Sequence, residues 1–422
     1  MTVTVTSLDN GLRVATDTME SVESVSLGAW VGVGTRHERP EVNGVAHFLE
    51  HMVFKGTRRR SARDIAEQIE AVGGQINAYT GRENTAFYAK VLAEHSELAL
   101  DILADILQHS VFDQGELARE RAVILQEIGQ AADTPDDIVF DYFQETAYPS
   151  QALGRPVLGR SETVSALDRR CLMDYLSGHY GPDDMVVAAA GRIEHGRFCD
   201  IVAKAFDALP SGGGPEPEPA AYRGGDHREA RDLEQVHLIL GFEGVGYHDP
   251  DYYASLVLST LLGGGMSSRL FQEVREERGL AYAIYSFVSA YRDGGLFGVY
   301  AGTSDSDVSE LLAVVVDEFA KLPSDITEEE LDRARAQLKA SVLMSRENSL
   351  SRCEQLAQQL LVYGRPLSLE EIVDRIEAVD CAGLGRVIGR MRRTQPSLAV
   401  IGPTARVDSF ESLRDRLTDA SG

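Results

Sequence analysis

Two histidines and a glutamate in the segment HFLEH, residues 47–51, have the types and spacing that zinc-dependent hydrolysis needs. On a helix, His47 and His51 lie one turn apart on the same side, so both imidazoles can bind one zinc ion. Glu50 lies near that side and can reach a water molecule at the metal. The order H-x-x-E-H is the inverted form of the zinc-protease helix motif. The alternative is a chance pattern on a surface helix, so a third ligand must come from elsewhere in the chain.

The third ligand is expected on a helix over residues 115–130, which carries two acidic residues. Glu120 and Glu127 are seven residues apart, and two helical turns place them on one face. A carboxylate on a packed helix costs free energy unless it is paired or bound to a metal. The alternative is a pair of solvated glutamates on an amphipathic helix.

The elements that must position these residues occur twice along the chain. Gly32-Val33-Gly34 and Gly244-Val245-Gly246 are 212 residues apart, and each follows an apolar strand and precedes a helix. Hairpins are predicted at 72–91 and 279–300, and final strands at 185–191 and 397–402. We therefore predict an α+β fold of two homologous α/β-sandwich halves, each a mostly antiparallel sheet flanked by helices. The predicted boundaries are 1–208, a Gly- and Pro-rich linker at 209–225, and 226–422.

The second copy lacks the polar groups that the first copy contains. An offset of 212 places Ser259 opposite His47, Leu262 opposite Glu50 and Gly263 opposite His51. Matching Glu116-Leu117 to Glu330-Leu331 places Ala334 opposite Glu120 and Ser341 opposite Glu127. A residue needed only for folding would be expected in both copies, so this asymmetry favours chemistry in the first half.

Charge and composition exclude several classes of function. The net charge of −25 argues against nucleic-acid binding and is compatible with either a cationic ligand or simple solubility. No apolar run is long enough to span a bilayer, and the start resembles neither a signal nor a transit peptide, so a cytoplasmic location without membrane contact is expected. The four cysteines are scattered and are expected to be reduced and buried.

HFLEHMVFKGT followed by ERAVILQE resembles the pitrilysin-type inverzincin metallopeptidases, in particular the branch of the mitochondrial processing peptidase β-subunit and its bacterial relatives. The resemblance covers essentially the whole chain. In that family a glutamate 76 residues after the second histidine is the third ligand, which corresponds to Glu127. Glu120 matches a supporting acidic residue that does not bind the metal. The resemblance implies one zinc ion per chain, two halves that enclose a cavity, and peptide hydrolysis by a zinc-bound water that Glu50 activates.

The resemblance also assigns roles in the second half. REERGLAY contains Arg275 and Tyr282 at the spacing of a family pair that reaches the substrate. Without the resemblance, a helix-face salt bridge for Arg275 and a packed strand position for Tyr282 would be the ordinary interpretations.

Five further residues are expected to bind substrate. INAYT, residues 76–80, resembles the edge strand beside the metal, where Asn77 and Ala78 would line an added peptide strand. Phe54 matches an aromatic residue of the pocket downstream of the cut, and Asp137 and Asp141 match acidic residues that hold an upstream arginine. Short, unfolded, basic peptides are therefore the expected substrates. The alternative for Asn77 and Ala78 is an ordinary exposed hairpin edge. The alternative for Asp137 and Asp141 is the solvated start of an acidic helix.

A homodimer is expected, and a heterodimer with an inactive paralogue is the alternative, because the related mitochondrial enzyme needs a non-catalytic partner. GGGMSS, residues 263–268, is either a counterpart of that partner's glycine-rich loop or a turn between helices. Two other functions remain open. One is a non-catalytic structural subunit, against which the complete metal set weighs, and the other is a maturation protease for one modified peptide.

Overall fold

The computed structural model describes residues 2–209, 214 and 216–419. Part of the predicted linker, residues 210–213 and 215, lies outside the described residues. The strands are β1 Thr2–Ser7, β2 Arg13–Thr18, β3 Ser24–Val31, β4 Gln75–Thr80, β5 Thr85–Leu92, β6 Met185–Gly191, β7 Gly225–Ala230, β8 Val236–Glu243, β9 Ala281–Ala290, β10 Gly295–Thr303 and β11 Ser397–Gly402.

The helices fall in two sets along the chain. Those before the linker are α1 Val45–Val53, α2 Ala62–Glu70, α3 Ser96–His109, α4 Gln114–Ala132, α5 Pro135–Ala147, α6 Ser161–Ala166, α7 Arg169–His179 and α8 His195–Ala205. Those after it are α9 Tyr252–Gly263, α10 Val308–Asp325, α11 Glu328–Ser345, α12 Ser349–Tyr363, α13 Leu369–Glu377, α14 Cys381–Met391 and α15 Phe410–Asp419.

Two compact units make up the described chain, and each combines segments from both sides of the predicted linker. The first unit contains the described residues of Met1–Gly129, Arg155–Glu218 and Leu343–Leu367. The second contains those of Gln130–Gly154, Pro219–Val342 and Ser368–Gly422. Helix α12 therefore belongs to the unit built mainly from the first half, and α5 to the unit built mainly from the second. The boundaries predicted from the sequence stay a prediction.

The first unit is a six-stranded sheet, in the order β1-β2-β6-β3-β5-β4, with a packed layer on each face. Neighbouring strands are antiparallel except for the parallel pair β2 and β6. Alternate side chains of a strand point to opposite faces. Val187 and Ala189 pack in the large core that contains α1 and α3, whereas Val186 and Ala188 pack against α12. This explains why MVVAAAG is apolar at every position.

The second unit is a five-stranded sheet, in the order β7-β11-β8-β10-β9, and is antiparallel except for β7 and β11. Helix α5 packs on one face through Val139 and Phe143, which meet Ile239, Ala399 and Ile401. The predicted fold class of two mostly antiparallel α/β sandwiches is confirmed, as are the two hairpins and the final strands. The expected cavity between the halves stays a prediction.

Two further expectations concern the cysteines and the helices that could span a membrane. The cysteines are free, but only Cys353 is buried; Cys171 and Cys199 are half-buried and Cys381 is exposed. The expectation of four buried thiols is wrong because Cys171 and Cys199 lie at the edge of the first core and Cys381 is the exposed first residue of α14. Within the described residues, every helix is too short or too polar to cross a bilayer.

Candidate active site

Helix α1 carries the HFLEH residues, and a buried carboxylate fixes where it begins. Glu38 accepts hydrogen bonds from the backbone N–H groups of Gly44 at 2.9 Å and Ala46 at 2.8 Å. Gly44 adopts φ +96°, and a Cβ there would lie 2.9 Å from the Leu158 carbonyl oxygen, so only glycine fits. Burial raises the pKa of Glu38 to about 7 despite these hydrogen bonds. Capping of this kind sets the rotation of α1 and hence the direction of its histidines.

The supporting glutamate lies beside the second histidine. Glu120, on α4, is only 7% exposed. Its Oε2 is 3.1 Å from His51 Nδ1, and its Oε1 is 2.8 Å from Lys55 Nζ. A hydrogen bond from Nδ1–H to a carboxylate leaves Nε2 of the imidazole free to bind a metal. The structure therefore brings Glu120 to a position that supports His51.

The predicted ligands converge on one point. His47, His51 and Glu127 each offer a ligand atom, and these atoms lie within 4.8 Å of one another. Glu127 Oε2 is 3.8 Å from His47 Nε2 and 3.5 Å from His51 Nε2. Tetrahedral zinc with bonds of about 2.0–2.1 Å separates its ligands by about 3.3 Å. The observed separations are close to that value, so small shifts of the side chains would gather them around an ion.

A buried carboxylate oxygen without a hydrogen-bond partner also fits a cation at this point. Glu127 Oε2 is buried without a hydrogen-bond partner among the described residues, which is costly for a carboxylate that has no cation to bind. Burial, and then the neighbouring His51, lower the pKa of His47 to about 4. At neutral pH this imidazole is therefore uncharged and has a lone pair to donate. Two imidazoles and one carboxylate are the donor set of many catalytic zinc sites.

Glu50 lies next to this set and is held by a hydroxyl group. The Thr80 Oγ1–H donates to Glu50 Oε2 at 2.6 Å. Burial raises the pKa of Glu50 above its ordinary value, while Thr80 and His51 act in the opposite direction. A carboxylate with a raised pKa is a better proton acceptor near neutral pH.

Three predicted substrate residues lie near this site in the first unit. Asn77 and Ala78 are on β4, the edge strand of the sheet, which pairs with β5 on one side. The backbone N–H of Ala78 donates to Asn77 Oδ1 at 2.9 Å. Phe54 caps the end of α1, and its ring centroid is 6.4 Å from that of Phe87. The edge position is the one that strand addition requires.

The other predicted residues belong to the second unit. Asp137 and Asp141 lie one turn apart on α5, and Asp137 is exposed. The guanidinium carbon of Arg275 is 4.7 Å from the ring centroid of Tyr282 and 4.7 Å from that of Phe271. Tyr282 is 79% exposed, which does not fit a packed strand aromatic. The substrate roles of these four residues stay predictions.

The second copy has no space for a metal site at the matching position. Ser259 Oγ is 3.1 Å from Ser286 Oγ, and a Cβ on Gly263 would lie 2.4 Å from the Ser286 backbone nitrogen. Ala334, opposite Glu120, is buried at 2% exposure. Close packing of α9 against β9 therefore replaces the polar groups of the first copy.

The sequence patterns missed three residues at the site. Lys55 follows His51 by four residues, and that spacing is a signal that could have identified it. Glu38 and Thr80 lie in a loop and at a strand end, where no helical period applies. Only the tertiary fold brings them to α1.

Comparison with known proteins agrees with this geometry. Residues 13–161 match the family model "Insulinase (Peptidase family M16)", and residues 166–338 match "Peptidase M16 inactive domain". A protein of Bacillus subtilis, named as an uncharacterised zinc protease, is 39% identical over 95% of this chain and 98% of its own length. The probable mitochondrial-processing peptidase subunit beta of Arabidopsis thaliana is 38% identical over 98% of this chain and 80% of its own length.

A solved protease from Helicobacter pylori has the same fold. It superposes with a TM-score of 0.89 at 23% identity, over 95% of this chain and 99% of its own. The predicted enzyme class and its zinc cofactor are confirmed by the family and by the names of these relatives. The chain belongs to peptidase family M16, the insulinase or pitrilysin-type zinc metallopeptidases.

Proposed function

We propose that this metallopeptidase is an endopeptidase that binds one zinc ion through His47, His51 and Glu127 and cleaves short or unfolded, basic peptides. The observation that carries the proposal is the convergence of three ligand atoms within 4.8 Å of one another. Glu50 lies on the same helix, one residue before His51. This arrangement supports hydrolysis without a covalent intermediate.

Zinc at this set supplies a Lewis acid that polarises the scissile carbonyl and lowers the pKa of a coordinated water to about 7. Glu50 accepts the proton of the attacking water and delivers it to the leaving amine. Glu120 keeps His51 in the tautomer that presents Nε2, through the contact of 3.1 Å with Nδ1. The neutral state of His47 is maintained by its burial.

Substrate binding is proposed to use backbone pairing with β4. This strand is at the edge of its sheet, and Asn77 is exposed there. An extended peptide that adds to such an edge gains main-chain hydrogen bonds regardless of its sequence. Ala78 would line that edge together with Asn77, and Phe54 would contact the residue after the cut. Unfolded peptides are favoured because a folded chain has no free strand to offer.

Preference for basic peptides is supported by charge. The chain has a net charge of −25, which attracts cationic peptides at moderate ionic strength. Asp137 and Asp141 present two carboxylates one turn apart for an arginine side chain. Arg275 and Tyr282 are proposed to donate hydrogen bonds to the substrate carbonyl as negative charge develops on it.

The proposal is tested by replacing Glu50 with Gln. The variant is expected to retain one zinc per chain by metal analysis and to lose at least 100-fold in the rate of cleavage of an arginine-containing fluorogenic peptide. Glu67→Gln, on the exposed part of α2, is the matched control and should cleave at the wild-type rate. Wild-type activity of Glu50→Gln would contradict the assigned base.

A digest of a peptide library separates general from dedicated activity. Cleavage of many unrelated peptides supports the proposal, whereas no cleavage together with full zinc occupancy would favour a maturation protease for one modified peptide. A chain without any hydrolytic activity would fit the structural-subunit alternative. The expected homodimer, the alternative heterodimer and the cytoplasmic location stay predictions.

A further inference from the structure

Glu50 has a second constraint besides its place on α1. Its Oε2 accepts the hydrogen bond from Thr80 Oγ1 at 2.6 Å, and Thr80 is the last residue of β4. A hydroxyl bound to one carboxylate oxygen fixes the rotation of the carboxylate and leaves Oε1 for another partner. The direction of the catalytic carboxylate therefore depends on where the end of β4 lies.

Strand β4 needs an anchor, because an edge strand is held by one ladder alone. The neighbouring residue on β4, Tyr79, points to the opposite face of the sheet, where α12 packs. Its hydroxyl donates to Glu354 Oε1 at 2.8 Å. The same oxygen accepts from Asn84 Nδ2 and from Gln358 Nε2, each at 3.3 Å. Glu354 and Gln358 lie one turn apart on α12, so two side chains of this helix hold Tyr79.

Helix α12 is itself fixed firmly to the first sheet. Arg352 forms a buried, two-pronged ion pair with Asp17 of β2, with distances of 2.7 and 2.5 Å. Arg13 Nη1 donates to the Leu360 carbonyl oxygen at 2.7 Å. These contacts lie toward the two ends of α12, so the helix is a rigid support for Tyr79.

We propose that Thr80 is a positioning residue for Glu50, and that α12, which comes from the second half of the sequence, fixes the strand segment that carries Thr80 through Glu354 and Tyr79. Thr80 contacts only Oε2 of Glu50 and leaves Oε1 for the proton transfer, and Glu354 contacts Tyr79. They act through the orientation of Glu50. The inference rests on the proposed role of Glu50 and adds to it the residues that direct this group.

The physical consequence is a loss of rate with little loss of substrate binding. Displacing a reacting group by about 1 Å lowers the rate by about 100-fold. Without the hydroxyl, Glu50 can occupy several rotamers, of which only one faces the substrate. We therefore expect kcat to fall by about 10- to 100-fold in Thr80→Val, which keeps the shape of the side chain and its preference for a strand.

The first experiment compares Thr80→Val, Thr80→Ser and the matched control Thr4→Val, which lies in β1 at the opposite edge of the same sheet. Thr80→Val should lower kcat while KM changes less than threefold, and Thr80→Ser should restore most of the rate. Zinc affinity, measured by competition with a chelator, and the thermal midpoint should equal those of Thr4→Val. A crystal structure of zinc-free Thr80→Val should show Glu50 in a second rotamer.

The second experiment tests the support from α12. Tyr79→Phe removes the hydroxyl that contacts Glu354 and Gln358, and it should lower kcat by about 3- to 10-fold in the wild-type background. In the Thr80→Val background the same change should have no further effect, because both act through one orientation of Glu50. Equal effects of Tyr79→Phe in both backgrounds would overturn the assignment to α12.

Different results would contradict the positioning role of Thr80 and the catalytic role of Glu50. If Thr80→Val cleaves at the wild-type rate while Glu50→Gln is inactive, only the positioning role is wrong. If Thr80→Val loses zinc or stability together with activity and Thr80→Ser does not rescue it, the residue is structural and the inference is overturned. If Glu50→Gln is fully active, the proposed function itself fails.

Discussion

Replacing Arg352 with Met is expected to unfold the first compact unit at a clearly lower urea concentration. Arg352 is 4% exposed, and its guanidinium binds both oxygens of the buried carboxylate of Asp17. In Arg352→Met the buried Asp17 carboxylate keeps only the longer contact of 3.4 Å with Arg346. Removing one partner of a buried ion pair costs about 3–5 kcal/mol, and this remaining contact places the expected loss at the lower end, about 3 kcal/mol. With an m-value of about 3 kcal/mol per molar urea for a unit of this size, the midpoint should fall by about 1 M.

The single tryptophan of the chain makes this measurement specific to the first unit. Trp30 is fully buried in the cluster that contains Cys353, Leu356 and Leu360 of α12. Its fluorescence therefore reports whether α12 remains packed on the sheet. The matched control is Arg63→Met, which removes an exposed ion pair with Glu67 and should change the free energy of unfolding by less than about 0.5 kcal/mol.

A double variant separates the loss of the pair from the burial of a lone charge. Asp17→Leu combined with Arg352→Met replaces the pair by apolar side chains. It also removes the 3.4 Å contact of Asp17 with Arg346, so it should recover only part of the loss, about 1 kcal/mol relative to Arg352→Met alone. A midpoint for Arg352→Met equal to that of Arg63→Met would refute the reasoning that α12 is anchored by this pair.

Two other residues give direct predictions. Glu120→Gln weakens the acceptor for His51 Nδ1 and should lower zinc affinity by about 10-fold or more in a competition with a chelator. Glu116→Gln, on the same helix, should leave the zinc affinity unchanged. Equal zinc affinities of the two variants would contradict the supporting role of Glu120. The two-pronged bond from Arg269 lowers the pKa of Glu330 to about 2, so the stability from this pair is present above pH 4.5 and is lost as the pH falls toward 2. The difference in urea midpoint between wild type and Glu330→Gln, followed by circular dichroism, should therefore be constant above pH 5 and shrink toward pH 3, and a difference that is independent of pH would contradict the pairing.

Local periodicity places the candidate ligands on two helix faces, and the family spacing of 76 residues then selects Glu127 over Glu120 as the third ligand. His47 and His51 are separated by one helical turn, and Glu120 and Glu127 by two, so each pair could be placed on a helix face before the fold was known. Continuous apolar residues predict strands such as 185–191, because both faces of such a strand are covered. The differences between the two copies favour chemistry in the first half.

Contacts between residues distant in sequence could not be predicted in this way. Asp17 and Arg352 are 335 residues apart, and neither has a pattern that identifies the other. The membership of α12 in the first unit follows from such contacts, and so does the support of Tyr79 by Glu354. Thr80 looked like an ordinary strand residue because its partner, Glu50, lies on another element. One-dimensional patterns show which face of an element is buried but not which element covers it.

An anomalous difference map from crystals of the zinc-loaded protein, recorded at the zinc absorption edge, tests the central claim most directly. We predict one strong peak at about 2 Å from His47 Nε2, His51 Nε2 and a Glu127 carboxylate oxygen, with Glu50 beside it. A peak at other side chains would contradict the proposed site. So would the absence of a peak at these three residues in protein that contains one zinc ion per chain by metal analysis.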